Sequence, residues 1–279
     1  GQPMSLRNAL AYSKNTITAQ LMQKVGTNKV IKLAHAMGIR ESELEAVPSL
    51  ALGTSPVSLK EMVAAYGTIA NGGNYIEPIL VTRIEDRNGK LIEAFTGATP
   101  EPVLAQSVAY TLLDTMRGVI TGGTGSAIRS RFGIRADVAG KTGTTQDNAD
   151  GWFLLMHPQP VAGAWAGFND GRVTLRSDYW GQGAHSALPI VGDFFNNALR
   201  NHLIDRNVRF EAPDETGFLQ RTFRQIKDGF QALFTPEPPP APASKPKRSP
   251  TSEAKPAEPA AEPDPLQERI DQIMEESRR

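Results

Sequence analysis

Cysteine is absent from the 279 residues, and the four histidines (His35, His157, His185 and His202) are scattered, with none paired at ligand spacing. Disulfides are therefore excluded, no metal ligand set is visible, and neither a metal nor a cofactor is predicted. Missing cysteine identifies no compartment, because many exported proteins lack it too. An excess of either charge is also missing: Lys plus Arg and Asp plus Glu number 30 each, for a net charge of zero. That balance gives no support to nucleic-acid binding or to polybasic membrane binding. No stretch approaches the ~20 apolar residues that cross a bilayer. The opening residues, GQPMSLRNAL, contain neither an initiator methionine nor an apolar signal core. The sequence reads as starting inside a longer protein, with any signal or membrane anchor expected upstream.

What is present changes character near Phe234. Eleven prolines fall between Pro236 and Pro265, where alanine is the only apolar side chain. Such a segment cannot bury enough surface to offset its ordering entropy and is predicted to be disordered and polyproline-like. Fully extended at ~3.1 Å per residue, it would reach roughly 90 Å. Beyond it, Leu266, Ile270, Ile273 and Met274 share one helical stripe, readable as a frayed terminal helix or as a docking helix. The predicted organisation is a domain over 1–203, a following segment over 204–235, a disordered tail over 236–265 and a short helix over 266–279.

Within the domain, residues 5–26 read as helix, interruption, helix, with Leu6 and Leu10 on one stripe and Ile17, Leu21 and Met22 on the next. Ser13-Lys14-Asn15 sits between them, where Ser and Asn compete with the helical backbone. A third helix carries Val30, Ile31, Leu33, Ala34 and Met37 and stops at Gly38. Ser58 to Glu61 is a capping box opening a helix that ends at Asn71-Gly72-Gly73. A strand pair turns at Asn88-Gly89. A helix from Leu104 runs into the glycine-rich TGGTGS, residues 121–126. Three short apolar runs around residues 137–168 then predict adjacent antiparallel strands. A last helix follows with Ser186 as cap and Pro189 in its first turn. The fold class is α+β, an antiparallel sheet packed with helices.

Two short motifs carry chemistry. Lys141-Thr142-Gly143-Thr144 on a strand would alternate faces, Lys141 and Gly143 one way, Thr142 and Thr144 the other. A twist or bulge at Gly143 would re-aim them into one cleft, giving a cation and hydroxyl donors for a carboxylate. The competing reading is an edge strand with a solvated lysine. Ser13-x-Asn15 is weaker, since such a triplet is expected about once in a chain of this length. Its competing reading is a helix-break serine beside a capping asparagine. Their order, with helices before and strands after, weighs more than either alone.

With these motifs in place, the chain resembles the transpeptidase domain of penicillin-binding proteins, above all the bifunctional class that polymerises and cross-links peptidoglycan. The likeness extends to Pro48–Gly73, Gly123–Arg129 and the run KTGTTQDNADGWF, and covers roughly residues 4–200. It implies a penicilloyl-serine-transferase (β-lactamase/transpeptidase-like) fold, incomplete at its N-terminus here, and a serine enzyme that acts on D-Ala-D-Ala stem peptides. Ser13 is then expected to relay protons and Asn15 to hold a substrate amide. Lys141 would supply positive potential, and the Thr142 and Thr144 hydroxyls would take the carboxylate. Gly143 would keep the strand flat, and the Thr144 N–H would form half of an oxyanion hole. Implied partners are stem peptides, the lipid-linked precursor, β-lactams and, through the tail, other cell-wall synthesis proteins. The implied location is the outer face of the cytoplasmic membrane, in the periplasm or extracytoplasmic space.

The sequence also departs from the family pattern. No Ser-x-x-Lys precedes Ser13; Ser244 to Lys247 falls in the proline-rich tail, as does Ser252 to Lys255, and is read as coincidence. The fragment is therefore expected to be inactive alone, and the glycosyltransferase half is absent. Residues 181–189, GQGAHSALP, replace an expected Thr-Gly-Gly-like turn, which puts substrate contacts there in question. The rival readings are a D,D-carboxypeptidase, a β-lactamase-related hydrolase and a non-catalytic penicillin-binding sensor or scaffold.

Overall fold

In the computed structural model, which describes residues 3–145, 148–170, 173–175 and 177–213, the chain begins with three helices broken by special backbone positions. Helix α1 (Leu6–Ala11) is capped by Ser5, whose hydroxyl accepts from Asn8 N–H. Helix α2 (Asn15–Val25) follows directly, and Gly26, at φ +88°, turns the chain into α3 (Thr27–Met37). Gly38, at φ +125°, ends α3 where a side chain would lie 2.7 Å from the Tyr75 ring. Only glycine meets both demands.

The stripe expected on α1 and α2 is partly reversed. Leu6 and Leu21 are exposed, whereas Ala9, Ala11 and Met22 are buried. The reason is close backbone approach, because Ala11 sits against Gly118 and Gly123 and leaves no room for a larger side chain.

A 3-10 turn (Pro48–Leu52), unforeseen from sequence, leads to α4 (Leu59–Ala70). The capping box is present as expected: Ser58 Oγ accepts from Glu61 N–H, and Glu61 accepts from Ser58 N–H at 3.2 Å. Glu61, 2% exposed, also accepts from the N–H groups of Glu41 and Ser42 at 2.7 and 2.9 Å. These donors hold its carboxyl at a pKa of about 2 despite burial. One side chain thus opens α4 and pins the preceding loop.

Strands β1 (Asn74–Tyr75) and β4 (Glu101–Pro102) form a minimal antiparallel pair. Between them β2 (Arg83–Glu85) and β3 (Leu91–Ala94) make the expected hairpin, with Gly89 at φ +80° in its turn. Helix α5 (Gln106–Thr121) and the short α6 (Ala127–Ser130) precede the three predicted strands. These are β5 (Ala139–Thr144), β6 (Asp150–Met156) and β7 (Val161–Gly167), antiparallel in the order β5-β6-β7. Helix α7 (Ala187–Arg200) closes the set. Ser186 stands at its start, but its hydroxyl donates to Gln182 O instead of capping the helix. Its backbone is already helical, which turns the side chain away from the following N–H groups.

The sheet lies between helices. Phe153 and Leu155 face a core with Val119, Ile128, Leu188 and Phe195. Ala139 and Met156 face a second cluster with Ile69, Leu113, Met116 and Phe210. Phe210 N–H donates to Asp137, which is paired with Arg117 at 2.7 Å, so the chain packs on past Leu203. All described residues belong to one compact unit, Gly1–Gln231. The expected tail (236–265) and terminal helix (266–279) lie outside the described residues.

Candidate active site

Among the described residues β5 is an edge strand, and its orientation decides what the edge offers. Thr145 N–H donates to Asp150 O across to β6. Because successive residues alternate, the N–H and C=O of Thr144 and Thr142 turn to the free edge. The pairing Lys141↔Leu154, Thr142↔Phe153, Gly143↔Trp152, Thr144↔Gly151 is unbroken, so the bulge expected at Gly143 is not there. No re-aiming is needed, because at an edge strand a long lysine can curl round the border that the threonine backbone presents. Gly143 has a packing reason instead: a side chain there would lie 3.0 Å from Trp152 Cβ.

Lys141 Nζ donates to Ser13 Oγ at 2.6 Å and to Thr142 O at 2.8 Å. The two sequence motifs, 128 residues apart, therefore meet. Burial lowers the Lys141 pKa to about 8, so its proton is held loosely near neutral pH. Ser13 has φ +53°, a left-handed backbone unusual for serine. It caps no helix: the residue preceding α2 is Lys14, which makes no side-chain cap bond, and Asn15 is the first helical residue. Asn15 is exposed, two residues from Ser13, and makes no side-chain hydrogen bond among the described residues.

Thr142 is buried, its hydroxyl 2.6 Å from that of Thr124. Thr144 accepts from Gly183 N–H at 3.2 Å. The departing segment GQGAHSALP thus does reach the strand. Gly183 lies flat on the β5–β6 pair, where a side chain would come within 2.2 Å of Gly143 O. Asp150 accepts from Trp165 Nε1 at 2.9 Å and ties the start of β6 to β7. A cleft of about 840 Å³ runs along Lys141 to Thr145 and is walled by Trp152, Trp165, Tyr66, Met62 and Leu50, so it is largely apolar with one polar side. Ser13 and Asn15 lie outside that lining, and Ser13 connects to it through Lys141. Among the described residues no group of His, Asp or Glu is arranged to hold a metal.

Sequence reading missed Thr124 and Gly183. The glycine-rich stretches around both were its only signals. The geometry defines a class: a strand edge with outward-facing backbone groups, hydroxyls and a loosely protonated lysine–serine pair, suited to acyl transfer on an extended chain ending in a carboxylate.

Comparison with known proteins agrees. The model of the penicillin-binding protein transpeptidase domain matches residues 1–158, and the chain belongs to that family. It is 36% identical over 206 residues to penicillin-binding protein 2D of Bacillus subtilis, covering 71% of this chain and 28% of that protein. It is 35% identical over 212 residues to penicillin-binding protein 1A of Aquifex aeolicus, covering 76% and 28%. The chain thus spans under a third of these relatives. Its fold is that of the crystal structure of penicillin-binding protein 1A from Haemophilus influenzae. The TM-score is 0.68 at 24% identity, over 76% of this chain and 36% of that one.

Proposed function

We propose that this chain carries the carboxylate-binding and proton-relay parts of a peptidoglycan D,D-transpeptidase of the bifunctional, penicillin-binding protein 1A-like class. The observation that carries the reading is the 2.6 Å bond from Lys141 Nζ to Ser13 Oγ beside the free edge of β5. A stem peptide ending in D-Ala-D-Ala lies along that edge as an added strand. Its carboxylate accepts from the Thr142 and Thr144 hydroxyls, with Lys141 adding positive potential, and Asn15 holds a side amide of the donor. The Thr144 N–H, turned to the edge, stabilises the oxyanion that forms when a serine attacks the scissile carbonyl. Ser13 passes a proton to the departing amine and is resupplied through Lys141, whose lowered pKa suits the exchange. β-Lactams, which carry an equivalent carboxylate and acyl centre, occupy the same edge.

No Ser-x-x-Lys precedes Ser13 among the 279 residues, so in this reading the acylated serine comes from outside them. The working location is the outer face of the cytoplasmic membrane. Among the described residues no helix is long and apolar enough to cross it. The domain part reaches past residue 203, since Ile204 and Phe210 pack in its apolar clusters, and the proline-rich tail over 236–265 meets other cell-wall synthesis proteins. The test is covalent labelling with a fluorescent penicillin. The full-length protein should carry a label that survives denaturation, and the 279 residues alone should not. Label retained on the 279-residue chain places the nucleophile within it. No label on the full-length protein removes the transpeptidase reading.

A further inference from the structure

One hydroxyl at the site, that of Thr124, has no role in the scheme above. Thr124 Oγ1 lies 2.6 Å from Thr142 Oγ1, and Thr142 is 8% exposed. Thr124 sits in the glycine-rich turn after α5, and its N–H donates to Ala11 O at 3.2 Å. A side chain on neighbouring Gly123 would come within 2.3 Å of the same oxygen, so the turn meets α1 backbone to backbone. A closed ring results. It runs from Ala11 to Thr124, Thr142, Lys141 and Ser13, with Lys141 bonded both to Thr142 O and to Ser13 Oγ.

A hydroxyl has one proton to donate and lone pairs to accept with, whereas a carboxylate only accepts. If Thr142 donates to Thr124, it faces a ligand carboxylate with lone pairs alone. If Thr124 donates to Thr142, the Thr142 proton is free for the ligand. Thr144 is already arranged in the second way, since Gly183 N–H fills its acceptor side and leaves its proton available. We propose that Thr124 is a positioning residue that donates to Thr142. It thereby makes Thr142 a donor to the ligand and renders the site selective for a free carboxylate over its ester. The inference rests on the reading that Thr142 and Thr144 meet the substrate carboxylate.

The test compares acylation of the full-length protein by benzylpenicillin and by its methyl ester, for wild type, Thr124→Val and Thr124→Ser. Losing the neutral hydrogen bond that orients the Thr142 hydroxyl towards the carboxylate should slow Thr124→Val roughly five- to ten-fold with the acid. With the ester its rate should stay within about three-fold of wild type, since no carboxylate is there to lose a donor. Thr124→Ser, which keeps the hydroxyl, should restore the wild-type acid-to-ester ratio. If Thr124→Val does not fold, Thr124→Cys, with a feeble donor of similar size, carries the same comparison. Equal losses for acid and ester would show a merely structural tie and overturn the proposal, as would an unchanged ratio. A wild-type protein that reacts with neither compound would sink the transpeptidase reading, and this proposal with it.

Discussion

Ser13 occupies a backbone position that suits glycine, and its φ of +53° costs about 1–2 kcal/mol for a residue with a Cβ. The hydroxyl, bonded to Lys141, is the reason for serine there. Two substitutions separate the effects. Ser13→Gly removes hydroxyl and strain together, while Ser13→Ala removes the hydroxyl and keeps the strain. The glycine variant should be more stable than the alanine variant by about 1 kcal/mol in urea denaturation. Both should acylate roughly 10²- to 10⁴-fold more slowly in the full-length protein. Normal acylation in either variant would strike Ser13 from the relay. Ser13, Lys141, Thr142 and Thr144 were legible because their triplets are contiguous. Thr124 and Gly183 were not, because a hydroxyl 18 residues from its partner and an amide 39 residues away leave no periodic trace.

At the scale of elements, the segment over the β5–β6 pair depends on Gly183. A side chain there would meet Gly143 O at 2.2 Å and Trp152 O at 2.3 Å, both backbone atoms that cannot give way. Gly183→Ala should lift the segment, take the acceptor-side partner from Thr144 and cost about 1–3 kcal/mol. Gly122→Ala, where a side chain meets nothing within 4 Å, is the control and should change little. Melting curves and acylation rates of the two variants check this, and equal behaviour would mean the segment moves freely. The three-strand sheet and α4 were readable because short apolar runs and a capping box are local signals. The pair β1–β4 was not, since two residues per strand give no alternation to read. The Ser186 misreading has a similar origin, because a cap depends on the serine's own backbone angles, which composition does not reveal.

For the whole molecule, three perturbed groups act on stability in the same direction. Glu61 has its pKa lowered to about 2, so its contribution is complete above about pH 4.5 and is lost as pH falls towards 2. His157, 1% exposed, has a pKa lowered chiefly by burial; Asp137 and Asp205 oppose the shift and Arg209 adds to it. It stays neutral in the fold while the unfolded chain takes up a proton, so stability falls as pH drops below about 6.5. Lys141, lowered to about 8, should add stability on the order of 2 kcal/mol as pH rises from 8 towards 10.5. Half-buried Tyr66, its hydroxyl pKa raised by desolvation well above the ordinary value, reverses the trend above about pH 10. The denaturation midpoint should therefore peak near pH 9–10, alkaline of most proteins. Lys141→Met should flatten the rise between pH 8 and 10. A wild-type maximum below pH 7 would show that these burial effects do not govern the fold.

The contact between Ser13 and Lys141 closes a loop of 128 residues. Loop closure costs entropy that grows as the logarithm of length, about 4 kcal/mol for a flexible chain of this span. A single hydrogen bond returns about 1–3 kcal/mol, less than that cost. The bond therefore cannot hold α1 in place by itself. What holds α1 is its docking on α5, through Ala11 against Gly118 and Gly123 and through the Arg7–Asp114 ion pair. The Ser13–Lys141 bond of the proposed relay is thus only as persistent as one short helix on its neighbour. Local detachment of that helix would break the proposed relay and withdraw Leu10 from the second cluster while leaving the sheet and the first cluster in place.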